Sequence, residues 1–187
     1  MKKSLAKAYQ LKIVLQDSKP PIWRRVLVES DVPLSTLHVI IQIAMGWTDS
    51  HLHQFVVAGK FYGVPDPDND FVEILDESDY GLDQLLRKEK SSIVYEYDFG
   101  DGWMHEVTLE KIMPTDPEAV LPVCIKAKGA CPPENVGGIW GYYGFLEALA
   151  DSDHPEHEEY TEWIGEGFDP DAYDLKETNK LLLKYCR

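Results

Sequence analysis

Hydrophobic and polar residues alternate along the first thirty positions of the chain. Apolar side chains stand at every second residue of 8–16, which is the period-two pattern of a half-buried strand. The tripeptide Lys19-Pro20-Pro21 interrupts this run, and 22–29 is again extended and rich in β-branched residues. Since proline cannot donate to a ladder and marks a turn, the pattern predicts an N-terminal β-hairpin.

The spacing of apolar residues becomes helical after Pro33. Leu34, Leu37, Ile41 and Ala44 form one stripe, Pro33 suits a first helical turn and Gly46 suits the end. His38 falls beside the stripe and is interpreted as a core residue with one satisfied nitrogen. The remaining patterns predict strands over 51–57, 92–99, 103–112 and 123–128, and helices over 81–88, 139–150, 153–165 and from a cap at Asp174 onward.

The order of these elements predicts the fold class. Strands concentrate in the first two thirds and are joined as hairpins, without the alternation of strands and helices that builds parallel sheets. We therefore expect an α+β fold in a single domain over 1–187. Its antiparallel or mixed sheet is built from hairpins with helices packed on it, and the C-terminal third is helical.

Composition and charge narrow the classes of function. Thirty-three acidic residues against eighteen basic ones give a net charge of −15, which disfavours nucleic acid as a partner. No run approaches the roughly 20 apolar residues of a membrane span, and the N-terminus lacks the apolar run of a signal peptide. The three cysteines suit reduced thiols better than a disulfide framework. We expect a cytoplasmic protein without a membrane partner.

The segment 97–106 carries most of the recognisable chemistry. Asp101-Gly102 between two extended runs predicts a two-residue hairpin turn. In that register Asp98 lies opposite His105, which places a carboxylate beside an imidazole on one sheet face. Such a pair suits metal binding, acid–base chemistry or a simple hydrogen bond, and the sequence leaves these alternatives open.

A set of short motifs is spread in order over nearly the whole chain. The motifs are Pro21-Ile22-Trp23-Arg24-Arg25, Gly46-Trp47, His51-Leu52-His53-Gln54-Phe55, Tyr97-Asp98-Phe99-Gly100-Asp101-Gly102-Trp103 with His105, Cys131-Pro132-Pro133-Glu134-Asn135-Val136-Gly137-Gly138, Gly141-Tyr142, Trp163 and Phe168-Asp169-Pro170. Together they resemble the plasmid pRiA4b ORF-3-like family. The resemblance implies a compact α+β fold and a mobile-element origin, without an established reaction. Asn135 stands where an Asp is common in that family's Pro-Pro-Glu-Asp motif.

The leading hypothesis is a non-catalytic module that binds a protein or a small ligand. Amphipathic aromatic side chains dominate recognition sites, and the chain offers several around the hairpin and the glycine-rich loop. The residues expected to form the binding surface are Trp47, Trp103, Pro133, Gly137, Gly138 and Tyr142.

The alternative is a metal-dependent hydrolase of the phosphodiesterase or nuclease type. Imidazoles and carboxylates suit divalent transition metals, which lower the pKa of bound water. The ligands would be His51, His53, Asp98 and His105, and the candidates for the general base are Glu106 and Glu134. Whether the protein is an enzyme stays open.

A DNA-binding or resolvase-like protein is the least favoured class. Recombinase chemistry needs an arginine cluster at the phosphate, and adjacent Arg24 and Arg25 point to opposite faces of a strand. The net charge of −15 also opposes DNA binding.

Overall fold

The computed structural model describes residues 7–66, 72–116, 118–165 and 167–186. Its main element is an eight-stranded sheet in the order β5-β4-β3-β6-β7-β1-β2-β8. The strands are β1 (Lys7–Leu15), β2 (Trp23–Glu29), β3 (His53–Val57), β4 (Lys60–Gly63), β5 (Ile74–Asp76), β6 (Ser92–Tyr97), β7 (Trp103–Pro114) and β8 (Val123–Lys128). The helices are α1 (Leu34–Met45), α2 (Leu82–Leu85), α3 (Gly138–Ala150), α4 (His157–Ile164) and α5 (Leu175–Tyr185), with a one-turn 3-10 helix over Glu77–Asp79.

The sheet is mixed, because β4 and β5 pair in parallel and the other neighbouring strands pair antiparallel. One mixed sheet with helices confirms the coarse prediction of fold class. The expectation of a helical C-terminal third is met only in part, since α3, α4 and α5 are separated by non-helical segments and β8 belongs to the sheet.

One face of the sheet carries the hydrophobic core. Alternate residues of β1, β6 and β7 are fully buried, and α1 supplies the facing layer through its apolar stripe. The opposite face carries charged and amide side chains, among them the bidentate pair Arg25–Glu110 and the bond from Gln10 to Glu110. This apolar and polar division is the one that the alternating pattern predicts for an antiparallel sheet.

Two helix ends follow their predicted signals. Gly46 ends α1 with φ of 106°, and its N–H donates to the carbonyl of Gln42 at 2.8 Å; glycine adopts such a left-handed conformation without a Cβ penalty. Asp174 caps α5 by accepting a hydrogen bond from the N–H of Glu177 at 2.8 Å, which satisfies one free donor of the first turn.

The predicted register of the β6–β7 hairpin is wrong. Tyr97 lies opposite Trp103 and Tyr95 lies opposite His105, so five residues, 98–102, form the loop. Asp98 takes a left-handed φ of 55°, and its Oδ1 accepts hydrogen bonds from the N–H groups of Gly100 and Asp101. This side-chain turn removes Asp98 from the ladder, so the carboxylate does not face His105.

The sequence patterns do not predict β4, β5 or the 3-10 helix. The strands β4 and β5 have four and three residues, which is too short for a period-two pattern to be recognised. The 3-10 helix follows directly on β5 and packs against α1. It positions Glu77, whose part in the site is described below.

Candidate functional site

The glycine-rich loop 132–138 lies on the tip of the β6–β7 hairpin. The N–H of Gly137 donates to Oδ2 of Asp101 at 3.1 Å. Gly138 has φ of 68°, and a Cβ at this position would overlap the carbonyl oxygen of Asp101. The paired glycines therefore permit the close approach of two backbones, and they bring the loop to the hairpin that the sequence analysis singled out.

His51, Asp98 and Glu134 converge where the loop meets the hairpin, and we call this group the His51 site. Nε2 of His51 lies 3.5 Å from Oδ2 of Asp98 and 3.8 Å from Oε2 of Glu134. Both Nε2 of His51 and Oε2 of Glu134 are hidden from solvent and have no hydrogen-bond partner in the described part of the chain. The distances within the group exceed those of ordinary hydrogen bonds, so the three side chains approach one another without bonding.

The second oxygen of Glu134 is firmly held. Oε1 accepts hydrogen bonds from the N–H of Thr48 at 2.8 Å, the hydroxyl of Thr48 at 3.0 Å and the hydroxyl of Tyr97 at 3.1 Å. Burial, together with the nearby Glu134 carboxylate, raises the pKa of Tyr97, which keeps the phenol protonated and able to donate. The Glu134 carboxylate is thus fixed with its other oxygen directed at His51.

The aromatic residues predicted for a binding surface lie largely in the core. Trp103 is 1 % exposed and Trp47 is 6 % exposed, with ring centroids 5.2 Å apart. Tyr142 lies on the buried face of α3 and packs against Phe145 of the same helix. Of the predicted surface residues, Pro133 is half-buried and Gly137 is exposed, whereas Gly138 is buried.

His105 and Glu106 point to opposite faces of β7, as neighbours on a strand do. His105 is completely buried, and neither ring nitrogen has a hydrogen-bond partner among the described residues. Burial lowers the pKa of His105 to about 4, so the ring is neutral at physiological pH. Glu106 is exposed on the far face and does not share a side of the sheet with His105.

His53 belongs to a different cluster from His51. Its ring stacks on that of His38 with centroids 3.4 Å apart and an interplanar angle of 6°, and we call these two residues the histidine stack. Nε2 of His53 lies 2.9 Å from Oε2 of Glu77. Nε2 of His38 lies 3.0 Å from Oδ1 of Asp49. Burial lowers the pKa of His38, and the neighbouring His53 lowers it further.

A hydrogen-bond network behind the histidine stack holds it in place. Nδ1 of His38 lies 2.8 Å from the hydroxyl of Tyr95, which also accepts a bond from Nε2 of Gln42 at 2.8 Å. Oε1 of the same Gln42 accepts the N–H of Asp49 at 2.9 Å, which supports Asp49 in its left-handed conformation. One glutamine therefore orients both partners of His38.

The structure distributes the four predicted metal ligands over three places. His51 and Asp98 are neighbours, His53 lies in the histidine stack and His105 lies in the core. Among the described residues, the one group of three or more His, Cys, Asp or Glu residues whose donor atoms all lie within 4.8 Å is His38, Asp49 and His53.

The sequence analysis assigned none of three members of these clusters to a site. His38 was predicted to be a core histidine with one satisfied nitrogen. It is buried as predicted, but both of its ring nitrogens have partners, in Tyr95 and Asp49. Asp49 lies in the loop after α1, between the Gly46-Trp47 motif and the motif that begins at His51, and no sequence pattern singles it out. Glu77 lies in the 3-10 helix, which no hydrophobic periodicity predicts, so the sequence does not indicate its position.

Within the described part of the chain, no helix is long and apolar enough to cross a membrane.

Known proteins share both this sequence pattern and this fold. A protein described as uncharacterized, y4hQ of Sinorhizobium fredii (strain NBRC 101917 / NGR234), is 39 % identical over 177 residues, which cover 94 % of this chain and 91 % of that protein. The crystal structure of MM3350, a protein of unknown function from Methanosarcina mazei Go1, has a TM-score of 0.83 at 36 % identity and covers 93 % of this chain and 98 % of its own. The family model described as plasmid pRiA4b ORF-3-like protein matches residues 7–177. The resemblance seen in the motifs is thereby confirmed, and the chain belongs to the plasmid pRiA4b ORF-3-like family.

Proposed function

We propose that the protein is a non-catalytic binding module that recognises a positively charged, hydrogen-bond-donating group of a protein or small ligand at the His51 site. The observation that carries this proposal is the pair of buried, unpartnered atoms, Nε2 of His51 and Oε2 of Glu134, 3.8 Å apart. A buried polar atom without a partner costs roughly 1–3 kcal/mol. A donor placed between these groups would recover that free energy.

The charges around the site favour a cationic ligand. Two carboxylates, Asp98 and Glu134, face one imidazole, and the whole molecule carries a net charge of −15, which attracts cations and repels anions. No lysine or arginine of the described residues forms an ion pair with either carboxylate. An ammonium or guanidinium group would supply the missing donors.

A cleft beside the same loop offers a second acidic surface. It has a volume of about 370 Å³ and lies between the loop 132–138 and α4. Its walls include Glu159, Glu162 and Trp163, whose side chain is 48 % exposed. An exposed indole beside carboxylates suits a cationic side chain, since cation–π contacts add about 0.5–1 kcal/mol at exposed sites.

The test is calorimetric titration with short peptides of opposite charge. We expect an acetylated Arg-Gly-Lys-Gly amide to bind and its Glu-Gly-Asp-Gly counterpart not to bind. Glu134→Gln keeps the shape of the side chain and removes its charge, so binding should weaken at least tenfold. Glu106→Gln is the matched control, because Glu106 is exposed on β7 away from His105, and it should leave binding unchanged. Equal effects of both substitutions, or no heat with either peptide, would refute the proposal.

The second candidate function is a metal-dependent hydrolase. It is favoured by the position of Glu134, which approaches His51 and could act as general base, whereas Glu106 is exposed on the strand β7. The test is hydrolysis of bis-p-nitrophenyl phosphate with Zn²⁺, Mn²⁺ or Fe²⁺. Turnover that Glu134→Gln abolishes and Glu106→Gln leaves intact would support this function. Rates equal to those of metal ions alone would exclude it for this substrate class.

DNA binding remains the least favoured function. Arg24 is completely buried and cannot reach a phosphate, and the net charge is −15. We expect no mobility shift of duplex DNA at low salt, and a shift would overturn this ranking.

We also propose that the whole chain forms one domain. One sheet takes strands from residues 7 to 128, and α5 packs on both β8 and α1. Limited proteolysis should therefore give no stable fragment of about half the chain, and such a fragment would contradict the proposal.

A further inference from the structure

We propose that His38, Asp49 and His53 bind a divalent transition metal ion, with Glu77 as the carboxylate that orients His53. This centre goes beyond the proposed function and is separate from the His51 site. It differs from the set of ligands that the sequence suggested, with which it shares only His53.

The donor atoms come from three elements that the fold brings together. His38 lies on α1, Asp49 lies in the loop that follows it and His53 opens β3. Their donor atoms all lie within 4.8 Å of one another. Two imidazoles and one carboxylate form a set that binds Zn²⁺, Fe²⁺ or Mn²⁺ through bonds of about 2.0–2.2 Å.

One nitrogen of each histidine is held by a residue outside the ligand set. The hydroxyl of Tyr95 engages Nδ1 of His38, and Glu77 engages Nε2 of His53. We assign the metal to the other two nitrogens, which are Nδ1 of His53 and Nε2 of His38, the atom that contacts the proposed ligand Asp49. An imidazole that binds a metal normally donates its other N–H to a carboxylate, a carbonyl or a water molecule. Glu77 fills this role for His53.

The charges of the cluster also call for a cation. The Glu77 side chain is only 5 % exposed, and His53 is its one ion-pair partner among the described residues. Asp49 and Glu77 bring two carboxylates to the cluster, and no lysine or arginine of the described residues forms an ion pair with either of them. A divalent ion would supply the positive charge that two neighbouring carboxylates attract.

The exposure of Asp49 gives the ion a route to the site. The Asp49 side chain is 59 % exposed, whereas that of His38 is 7 % exposed. The ligand set is therefore closed on the protein side and open to solvent at Asp49.

Metal binding would also change the histidine stack. Ring nitrogens bind a metal in the plane of the ring, so two parallel rings can share one ion only when one of them tilts out of the stack.

Metal content measured by mass spectrometry on untagged protein, after equilibration with Zn²⁺ and removal of free ion, tests the proposal. We expect about one zinc per chain in the unaltered protein. Asp49→Ala should lose it and still fold, because this side chain is mostly exposed. Glu77→Gln should weaken zinc binding by about 10–100-fold, the usual effect of removing such an orienting group. His154→Ala, a histidine remote in sequence and outside the cluster, should retain the zinc.

Substitution of cobalt gives a second readout. Co²⁺ should produce visible absorption bands of a nitrogen- and oxygen-ligated site in the unaltered protein, and Asp49→Ala should abolish them. His51→Ala separates this centre from the His51 site, and it should retain zinc while losing peptide binding. Loss of zinc from His51→Ala with retention in Asp49→Ala would overturn the proposal, and so would the absence of zinc and of cobalt bands from the unaltered protein. Peptide binding can fail while zinc binds, and the reverse, so the two proposals are tested independently.

Discussion

Arg24 is a buried cation that pairs with no carboxylate of the described residues, and its replacement should be among the most destabilising single changes in the chain. The residue is 0 % exposed, and its guanidinium donates to four backbone carbonyls. These belong to Ala44 at 2.7 Å, Trp23 at 2.9 Å, Lys128 at 3.0 Å and Met45 at 3.3 Å. The carbonyls of Ala44 and Met45 lie in the last turn of α1, where they lack partners within the helix and where a positive charge is favourable.

The expected magnitude follows from these contacts. Arg24→Met keeps most of the apolar stem and removes every donor. A hydrogen bond to a charged group contributes about 1.5–3 kcal/mol, but the carbonyl of Ala44 keeps a second donor in the Tyr173 hydroxyl at 3.1 Å. Burial of the charge lowers the pKa of Arg24, and deleting the guanidinium removes this cost of burial. The net loss should be about 4 kcal/mol, within the range for large disruptions of buried networks.

Arg25 is a matched control on the same strand. It points to the opposite face and forms a bidentate pair with Glu110, in which the two side chains are 25 % and 22 % exposed. Partly exposed pairs contribute about 0–1 kcal/mol, so Arg25→Met should cost no more than that.

Urea denaturation followed by fluorescence of the five tryptophans measures both variants. With a slope of about 2 kcal/mol/M, Arg24→Met should lower the midpoint by about 2 M and Arg25→Met by less than about 0.5 M. A loss below about 1 kcal/mol for Arg24→Met, or equal losses for the two variants, would refute the capping role of Arg24.

Three further predictions concern a glycine, a histidine and a cysteine. Gly138→Ala should destabilise the protein by more than about 2 kcal/mol, because its Cβ would overlap the Asp101 carbonyl at a positive φ. Gly144→Ala, in open space within α3, should instead stabilise the protein by about 0.5–1 kcal/mol; equal denaturation midpoints would contradict this. The unfolded chain protonates His105 below about pH 6.5, but burial holds its folded pKa at about 4, so stability should fall by up to roughly 3 kcal/mol as pH decreases between these values. His105→Leu should flatten this part of the pH profile of the unfolding free energy, and an unchanged slope would show that other groups cause it. Burial raises the pKa of the Cys131 thiol, so native protein at pH 8 should react with Ellman's reagent at this cysteine only after denaturation, and rapid native labelling would count against it.

The secondary structure was largely readable from local patterns, because each pattern records a local physical constraint. Alternation over 8–16 predicted β1, the helical stripe after Pro33 predicted α1, and Gly46 marked its end. The hairpin register was not readable, since it depends on Asp98, whose side chain bonds to Gly100 and Asp101 and adds residues to the turn. The sequence favours a tight Asp-Gly turn, but the hydrogen bonds to the Asp98 side chain stabilise a longer loop instead. The sequence permits these bonds and does not require them.

The composition of the candidate site was only partly readable. The sequence analysis placed residues of the hairpin and of the glycine-rich loop in one expected binding surface, and in the structure Gly137 and Gly138 contact Asp101. It also placed His51 and Asp98 in one candidate set, and they are neighbours. It could not separate His51 from His53, because His51 precedes β3 and so lies outside the alternation of that strand.

By itself, the sequence determined the family, the acidic charge, most helices and strands and the side of the sheet that is buried. These properties depend on the order of residue types along the chain. The tertiary structure alone decided that His53 stacks on His38, that Glu77 contacts His53 from a 3-10 helix and that His105 lies in the core without a hydrogen-bond partner among the described residues. Such contacts join residues many positions apart, and they depend on strand order, register and helix packing, which no local pattern specifies.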